Sequence, residues 1–274
     1  MFRRVLAPLF VLCFVYSAFA QDVTPPEKIA QLYPTDEAKE KALENGKVIK
    51  AKALGTGITH PIKLTLQDGD AIFYAVFKKV DEHKSGMTQL SKGTEMDFKD
   101  SWTYDVAAYQ LDKMLGLNMV PVTVERRYEG DKGALIWWIS NAMTEGDRKA
   151  KGLNPPNLDV WAQGMYKVRL FDNLIYNIDR NLGNLLIDSD WRIWMIDHTR
   201  SFKNSDHLKS EGDLTKFSIS FVNALKKLDE PTIKDHCGKY LSKYEIESML
   251  KRRDEIVQVY DKLHTAQGDS ILYP

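Results

Sequence analysis

Hydrophobic and polar positions change their period twice along this chain. Residues 35–45 form a short charged stretch that predicts a helix capped by Thr35 and stopped at Gly46. Apolar runs and alternations at 48–54, 62–66 and 71–79 predict strands, with Asp68-Gly69 as a hairpin turn between the last two. Residues 81–99 are polar and predict a mobile loop. From 102 to 115 the period becomes helical, through Tyr104, Ala107, Ala108, Leu111 and Leu115, and Gly116 ends the run. Strands are expected again at 120–127 and 133–139. Residues 146–157 contain Pro155-Pro156 and read as a loop at a lobe boundary. A long helix is expected over 158–178, with Trp161, Met165, Val168, Phe171 and Ile175 inward. Two short strands at 185–187 and 192–196 flank the turn Asp188-Ser-Asp190. The remainder is helical, and Ser242-Lys-Tyr-Glu245 is a capping box opening a helix to about residue 264. There is no internal repeat. The order is strands, one helix, strands, a linker and then helices, which defines an α+β class and nothing finer.

The chain has 274 residues, of which 43% are hydrophobic and 11% aromatic, enough for one large domain or two small lobes with a substantial core. The formal net charge is zero, so neither a bulk nucleic-acid binder nor a polybasic membrane anchor is expected. The N-terminus is a targeting signal: Arg3 and Arg4 precede a short apolar run, and Ala18-Phe19-Ala20 fits the small-x-small cleavage rule. Cleavage after Ala20 is expected, with export to a periplasmic or secreted location. No later apolar stretch is long enough to span a bilayer. Cys13 leaves with the signal, and the lone Cys237, beside His236, reads as an ordinary thiol that cannot form an internal disulfide. The expected organisation is a signal peptide at 1–20, a linker and short helix at 21–46, an N-lobe at 47–145 and a C-lobe at 146–274.

Five pieces of candidate chemistry fall in order within this frame. Gly55-Thr56-Gly57 lies between two strands, where glycines let backbone N–H groups approach phosphate oxygens. Phe77-Lys78-Lys79 ends the third strand, and alternation lets only one lysine face inward; Lys78 is the choice. Asp105 sits at the edge of the apolar stripe of the 102–115 helix, where it would pair with Lys78. Asp179 and Asn184 are five residues apart, and Asp197 lies thirteen further on at a strand end. Phosphoryl transfer uses such a set: one Asp orients the acceptor hydroxyl, while an Asn and a second Asp hold metal on nucleotide phosphates. Hard oxygen ligands suit Mg²⁺ or Mn²⁺. Arg180 would support the Asp179 loop and Arg200 would face a phosphate, although both types also serve as surface ion pairs. Asp188 and Asp190 resemble a D-x-D metal motif, but a turn between strands explains them better.

The run from Phe171 through Asp179 and Arg180, followed by Ile196-Asp-His-Thr-Arg-Ser-Phe202, resembles the atypical kinases, a group with the secreted Golgi-type casein kinases, the HipA-like kinases and the phosphoinositide 3/4-kinases. The secreted group is the most similar, and Leu115-Gly-Leu-Asn-Met-Val-Pro121 after an Ala-Ala-Tyr helix fits the same superfamily. The likeness covers most of residues 48–202. It implies a two-lobe protein-kinase-like fold, with a β-rich N-lobe and an α-helical C-lobe. It also implies that Lys78 is the phosphate lysine, Asp105 its carboxylate partner, Asp179 the catalytic acid, and Asn184 and Asp197 the metal ligands. A hinge near 136–141 would present backbone groups to adenine. Several positions depart from ordinary protein kinases. Asn177-Ile178 precede the catalytic Asp, Asn181 follows two after it, Asp105 replaces a Glu, and His198 follows Asp197. No Ala-Pro-Glu segment follows.

The expectation is therefore an exported atypical kinase using ATP or another NTP with Mg²⁺ or Mn²⁺, acting on a hydroxyl of a protein, sugar or lipid. The alternatives are a pseudokinase that binds without turnover, favoured by the scarcity of ATP outside bacterial cells, and an AMP-transferase on the same fold. A metal phosphoesterase built on Asp179, Asp188, Asp190, Asp197 and His198 has less support, because no second His cluster exists.

Overall fold

The computed structural model describes residues 22–55, 60–90 and 93–274. The expected signal peptide, and Thr56 and Gly57 of the glycine turn, lie outside these residues. The elements run in chain order as follows: α1 (Pro26–Leu32), α2 (Asp36–Asn45), β1 (Lys47–Ala53), β2 (Ile62–Asp68), β3 (Ala71–Lys78), β4 (Asp81–Leu90), β5 (Gly93–Ser101), α3 (Thr103–Leu115), β6 (Thr123–Tyr128), β7 (Asp131–Trp137), β8 (Met143–Thr144), α4 (Glu145–Ala150), α5 (Leu158–Leu174), β9 (Leu185–Ile187), β10 (Ile193–Met195), β11 (Phe217–Ser218), α6 (Ile219–Lys227), α7 (Glu230–Cys237), α8 (Lys243–Gln267) and β12 (Leu272–Tyr273). The protein has an α+β architecture, with a sheet-rich N-terminal part and a helical C-terminal part.

The N-terminal part is built on an antiparallel five-stranded sheet in the order β1-β2-β3-β7-β6. Alternation on β3 divides its side chains between two environments. Phe73, Ala75 and Phe77 enter the main core with Leu64, Leu66 and Leu43 of α2. Phe73 stacks on Trp137 with ring centroids 4.8 Å apart, and Tyr33 closes on both rings. On the opposite face, Val76 packs against Trp102, Val106, Ala134 and Ile136, and Lys78 extends the same row. The period-2 rule thus delivers Lys78 to the α3 side of the sheet.

β7 must pass close to the end of β3 for that delivery. Gly133 makes this possible, because a Cβ there would lie 2.7 Å from the Phe77 ring and would also collide with the Lys78 carbonyl. Helix α3 carries its own stop signal. Gly116 takes φ +65° and its N–H caps the Asp112 and Lys113 carbonyls. Buried Asp112 then accepts the backbone N–H groups of Met119 and Val120, at 2.9 and 3.1 Å, and so fixes the chain leading into β6. Burial nevertheless pushes its carboxyl up to about 7 against the pull of those hydrogen bonds.

The C-terminal part is organised around α5, which buries Val168, Leu170, Phe171 and Leu174, and around α8, opened by the reciprocal Ser242–Glu245 capping box. A three-stranded sheet, β10-β9-β8, lies beside them. Among the described residues no helix is long and apolar enough to cross a membrane.

Four segments differ from the sequence expectation. Residues 26–32 of the expected linker form α1, and the first residues of the expected 146–157 loop belong to α4, behind a Thr144–Asp147 capping box. The long helix ends at Leu174, not 178, because Tyr176 takes φ +50° and turns the chain. The largest difference is at 81–99, where β4 and β5 form a paired hairpin. Its polarity follows from exposure of most of its side chains. Its order comes from anchors at its base: Lys99 pairs with Glu245 at 2.5 Å, Ser101 donates to Asp81 at 2.7 Å, and the Ser101 N–H meets the Thr199 carbonyl at 3.0 Å.

Gly133→Ala is expected to lower folding stability by about 1–3 kcal/mol through overpacking, read by urea unfolding. An unchanged midpoint would mean that β7 has room to move away from Lys78.

Candidate active site

Lys78 is the centre of the site. Its Nζ lies 3.1 Å from Asp105 Oδ2 on α3 and 2.9 Å from Asp197 Oδ1, just beyond β10. Lys78 and Asp105 are buried, whereas the Asp197 side chain is 31% exposed. Burial by itself would discharge the amine, but the two carboxylates more than offset it and raise the Lys78 pKa. Burial likewise works against ionised Asp105, yet Lys78 and the hydrogen bonds from His198 hold its carboxyl well below the usual range. The backbone N–H of His198 donates to Asp105 Oδ1 at 2.8 Å. Its ring is buried, which lowers its pKa. Lys79 points away and pairs with exposed Asp131 at 2.6 Å.

Asp197 takes φ +60°, a left-handed conformation that Asp tolerates better than bulky residues do. Its Oδ1 also accepts the Thr199 hydroxyl at 3.2 Å. Among the described residues Oδ2 receives no hydrogen bond. The structure leaves this carboxylate partly open and supplies Lys78 as its cation.

The Asp179–Asn184 loop is held by buried Asp172 on α5. Arg180 forks onto Asp172 with Nε and Nη2 contacts of 3.0 Å, and its Nη1 donates to the carbonyls of Asn184 and Ile196 at 2.7 and 2.8 Å. Asn177 bonds Asp172 through Nδ2 at 3.2 Å and accepts the Asp179 N–H through Oδ1 at 3.0 Å. Asn184 Nδ2 donates to the Asp179 carbonyl at 2.9 Å, and the Ile196 N–H donates to the Asn184 carbonyl at 3.1 Å. One guanidinium therefore ties the loop to the strand that carries Asp197. The loop orients the backbone of Asp179 and leaves that residue exposed. Asp172 is absent from the sequence-derived set. Its signal was a carboxylate inside the apolar run Phe171 to Ile175.

Asp100, at the end of β5, is the second residue that sequence reasoning missed. Its Oδ1 is buried without a hydrogen-bond partner. Burial raises its pKa and the charge of Asp197 adds to the rise, while Thr199, Arg200 and Lys78 pull the other way. The hydrogen bond from the Ser101 N–H to the Thr199 carbonyl brings this end of β5 alongside the segment that carries Asp197. Asp100 escaped notice because it falls between the expected 81–99 loop and the expected 102–115 helix, in neither element.

Other candidates go elsewhere. Arg200 does not stand free for a phosphate: it pairs with Glu95 of β5, which also binds Lys203, and it lies over the Phe98 ring at 4.3 Å. Asp188 spends both oxygens on its turn, accepting from the N–H groups of Asp190 and Arg192 and from the Trp194 indole. Cys237 is buried and burial pushes its thiol up to about 12, while His236 is about half exposed. Gly55 is exposed beside residues outside the description.

Oxygen donors at the site suit a hard divalent cation. Asn184 has its amide nitrogen engaged and its Oδ1 left over, Asp197 has Oδ2, and Asp100 has a buried orphan oxygen. Among the described residues no group of three or more His, Cys, Asp or Glu side chains forms a metal cage.

Comparison of the sequence with protein-family models and with curated proteins finds no match. Solved structures do resemble the fold. A structure of hydra Fam20 with sugar has a TM-score of 0.63 at 15% identity, covering 86% of this chain and 91% of that one. The Golgi casein kinase gives 0.61 at 12% identity, covering 87% and 79%, and 0.58 at 13% in a structure with Mn/ADP bound, covering 85% and 77%. The Helicobacter pylori proinflammatory kinase CtkA gives 0.50 at 13%, covering 82% and 96%. The fold of this chain is shared with these kinase structures.

Asp105→Asn leaves Lys78 with one carboxylate and is expected to cost about 3 kcal/mol of stability near neutral pH. Because the folded-state pKa of Asp105 is depressed, its contribution is present above the ordinary carboxylate pKa and fades as pH falls below about 4. Urea titrations of both proteins at pH 7 and pH 3 check this. A stability gap that stays constant with pH would contradict the ion pair.

Proposed function

We propose that this chain is an exported atypical kinase that transfers the γ-phosphoryl group of ATP, or another nucleoside triphosphate, to a hydroxyl acceptor with Mg²⁺ or Mn²⁺. The observation that carries this reading is Lys78 held between Asp105 and Asp197, with the Asp179–Asn184 loop tied to the same strand by Arg180. The fold likeness to a Golgi casein kinase crystallised with Mn/ADP supports a nucleotide and a divalent metal here. Export rests on the N-terminal sequence, with Arg3, Arg4 and the Ala18-Phe19-Ala20 cleavage pattern.

In this reading Lys78 binds the α and β phosphates, and Asp105 keeps its side chain extended towards them. Asn184 through Oδ1, Asp197 and Asp100 would hold the metal, which when bound supplies charge neutralisation on the phosphates. Asp179 is exposed at the loop tip, where it orients the acceptor hydroxyl and takes its proton. The acceptor oxygen then bonds to the γ-phosphorus as the bond to the β–γ bridging oxygen breaks, and the nucleoside diphosphate leaves. Arg180 and Asp172 keep the Asp179 backbone in register with Asp197.

Two labels in one assay test this proposal. With γ-labelled ATP and Mn²⁺, phosphoryl transfer or slow hydrolysis is expected, and Asp179→Ala should reduce it by at least about a hundredfold while retaining nucleotide binding. Transfer of label from the α position would instead indicate AMP transfer. Nucleotide binding without turnover in the unaltered protein would indicate a pseudokinase.

The metal assignment has its own check. Asp197→Ala should abolish metal-dependent thermal stabilisation by ATP, and Asp100→Asn should raise the Mn²⁺ concentration needed for half-maximal stabilisation by about tenfold or more. Unchanged Mn²⁺ dependence in Asp100→Asn would remove that residue from the donor set.

A further inference from the structure

One cation on the Lys78 face of the sheet has no role in the reading above. Strand register sets Lys63 of β2 opposite Val76, and Lys52 of β1 opposite Lys63. Cross-strand partners share a face, so Lys63 lies on the same face as Lys78. Among the described residues no carboxylate pairs with Lys63. Its Nζ sits 3.6 Å from the centroid of the Tyr74 ring and 3.8 Å from that of Trp138. The two rings are 6.3 Å apart and inclined at 72°. The backbone N–H of Trp138 donates to the Tyr74 carbonyl at 3.2 Å, which sets the two residues side by side where the chain leaves β7.

All three side chains are partly open to solvent. Burial lowers the Lys63 pKa and the adjacent Lys52 adds to the effect. An ammonium that has lost part of its hydration, with only π faces in return and a second cation alongside, is weakly held. Tyr74 lies four residues from Lys78 on the same face, about 13 Å along the strand, a distance comparable with that from the phosphates of a nucleotide to its base.

We propose that Tyr74 and Trp138 form the base subsite of the cleft, and that Lys63 is its tethered occupant, displaced when a nucleobase stacks there. This inference rests on the nucleotide reading above and adds how the base is recognised. Stacking uses the π face that every base possesses, so it discriminates poorly between bases. Recognition through the ring pair predicts that ATP and GTP bind with similar affinity, unlike recognition of adenine through backbone groups alone.

Calorimetric titration of the full chain with ATP, GTP, adenosine and tripolyphosphate, each with Mg²⁺, tests both layers. ATP and GTP should agree within about threefold. Trp138→Ala should weaken both by about tenfold or more and leave tripolyphosphate binding unchanged, which also shows that the variant is folded. Lys63→Ala should tighten adenosine binding, because its competitor is gone. Unchanged ATP affinity in both Trp138→Ala and Tyr74→Ala would overturn the subsite while leaving the nucleotide reading intact. A preference for ATP over GTP beyond a hundredfold, or weaker adenosine binding in Lys63→Ala, would do the same. An unaltered protein that binds neither nucleotide nor tripolyphosphate would overturn the nucleotide reading together with the subsite.

Discussion

The ammonium of Lys78 is buried, and a buried charge persists only when paired. Asp105 comes from α3 and Asp197 from the turn after β10, so the pairing joins three elements distant in sequence. The surroundings serve that geometry. Gly133 lets β7 approach β3, Val76 and Ile136 seat α3 beneath the sheet, and the His198 N–H holds Asp105 from below. Disturbing any of these would leave a charge without its partner in a low-dielectric interior.

The loop around Asp179 is organised on the same principle with the signs exchanged. Buried Asp172 gathers Arg180 and Asn177, and Arg180 spends its remaining donors on the carbonyls of Asn184 and Ile196. The chain beyond Asp197 is fastened by Glu95, which receives Arg200 and Lys203. Fully buried Arg252 binds the carbonyls of Leu174 and Lys203 and lies over the Tyr176 ring. Tyr176, Asp197 and Phe202 all take positive φ within this fastened region. Such conformations persist when surrounding contacts over-determine them.

Much of the frame was legible before any coordinates. Period-2 alternation chose Lys78 over Lys79, and the structure sends them to Asp105 and Asp131 respectively. The Ser242–Glu245 capping box, Gly116 and the Asp68-Gly69 turn marked element ends correctly, because those signals are local and depend on a few adjacent backbone groups. Reading 81–99 as a loop failed for a physical reason. A hairpin exposed on most of its surface has no apolar face to betray it, and its order comes from Lys99–Glu245 and Glu95–Arg200, pairs more than a hundred residues apart. Asp100 was hidden between the expected loop and the expected helix, and Asp172 by the apolar run around it.

The sequence by itself determined the α+β order, the strand that presents a lysine, the helix that presents Asp105, and the spacing of Asp179, Asn184 and Asp197. These are consequences of periodicity and turn chemistry, which act over a few residues. Tertiary structure alone decided that Lys78 meets both Asp105 and Asp197, that the Asp100 end of β5 runs alongside the segment that carries Asp197, that Arg200 is consumed by Glu95, and that Lys63 rests between Tyr74 and Trp138. Those outcomes depend on which charges are desolvated together, and desolvation is set by the packing of elements far apart in the chain.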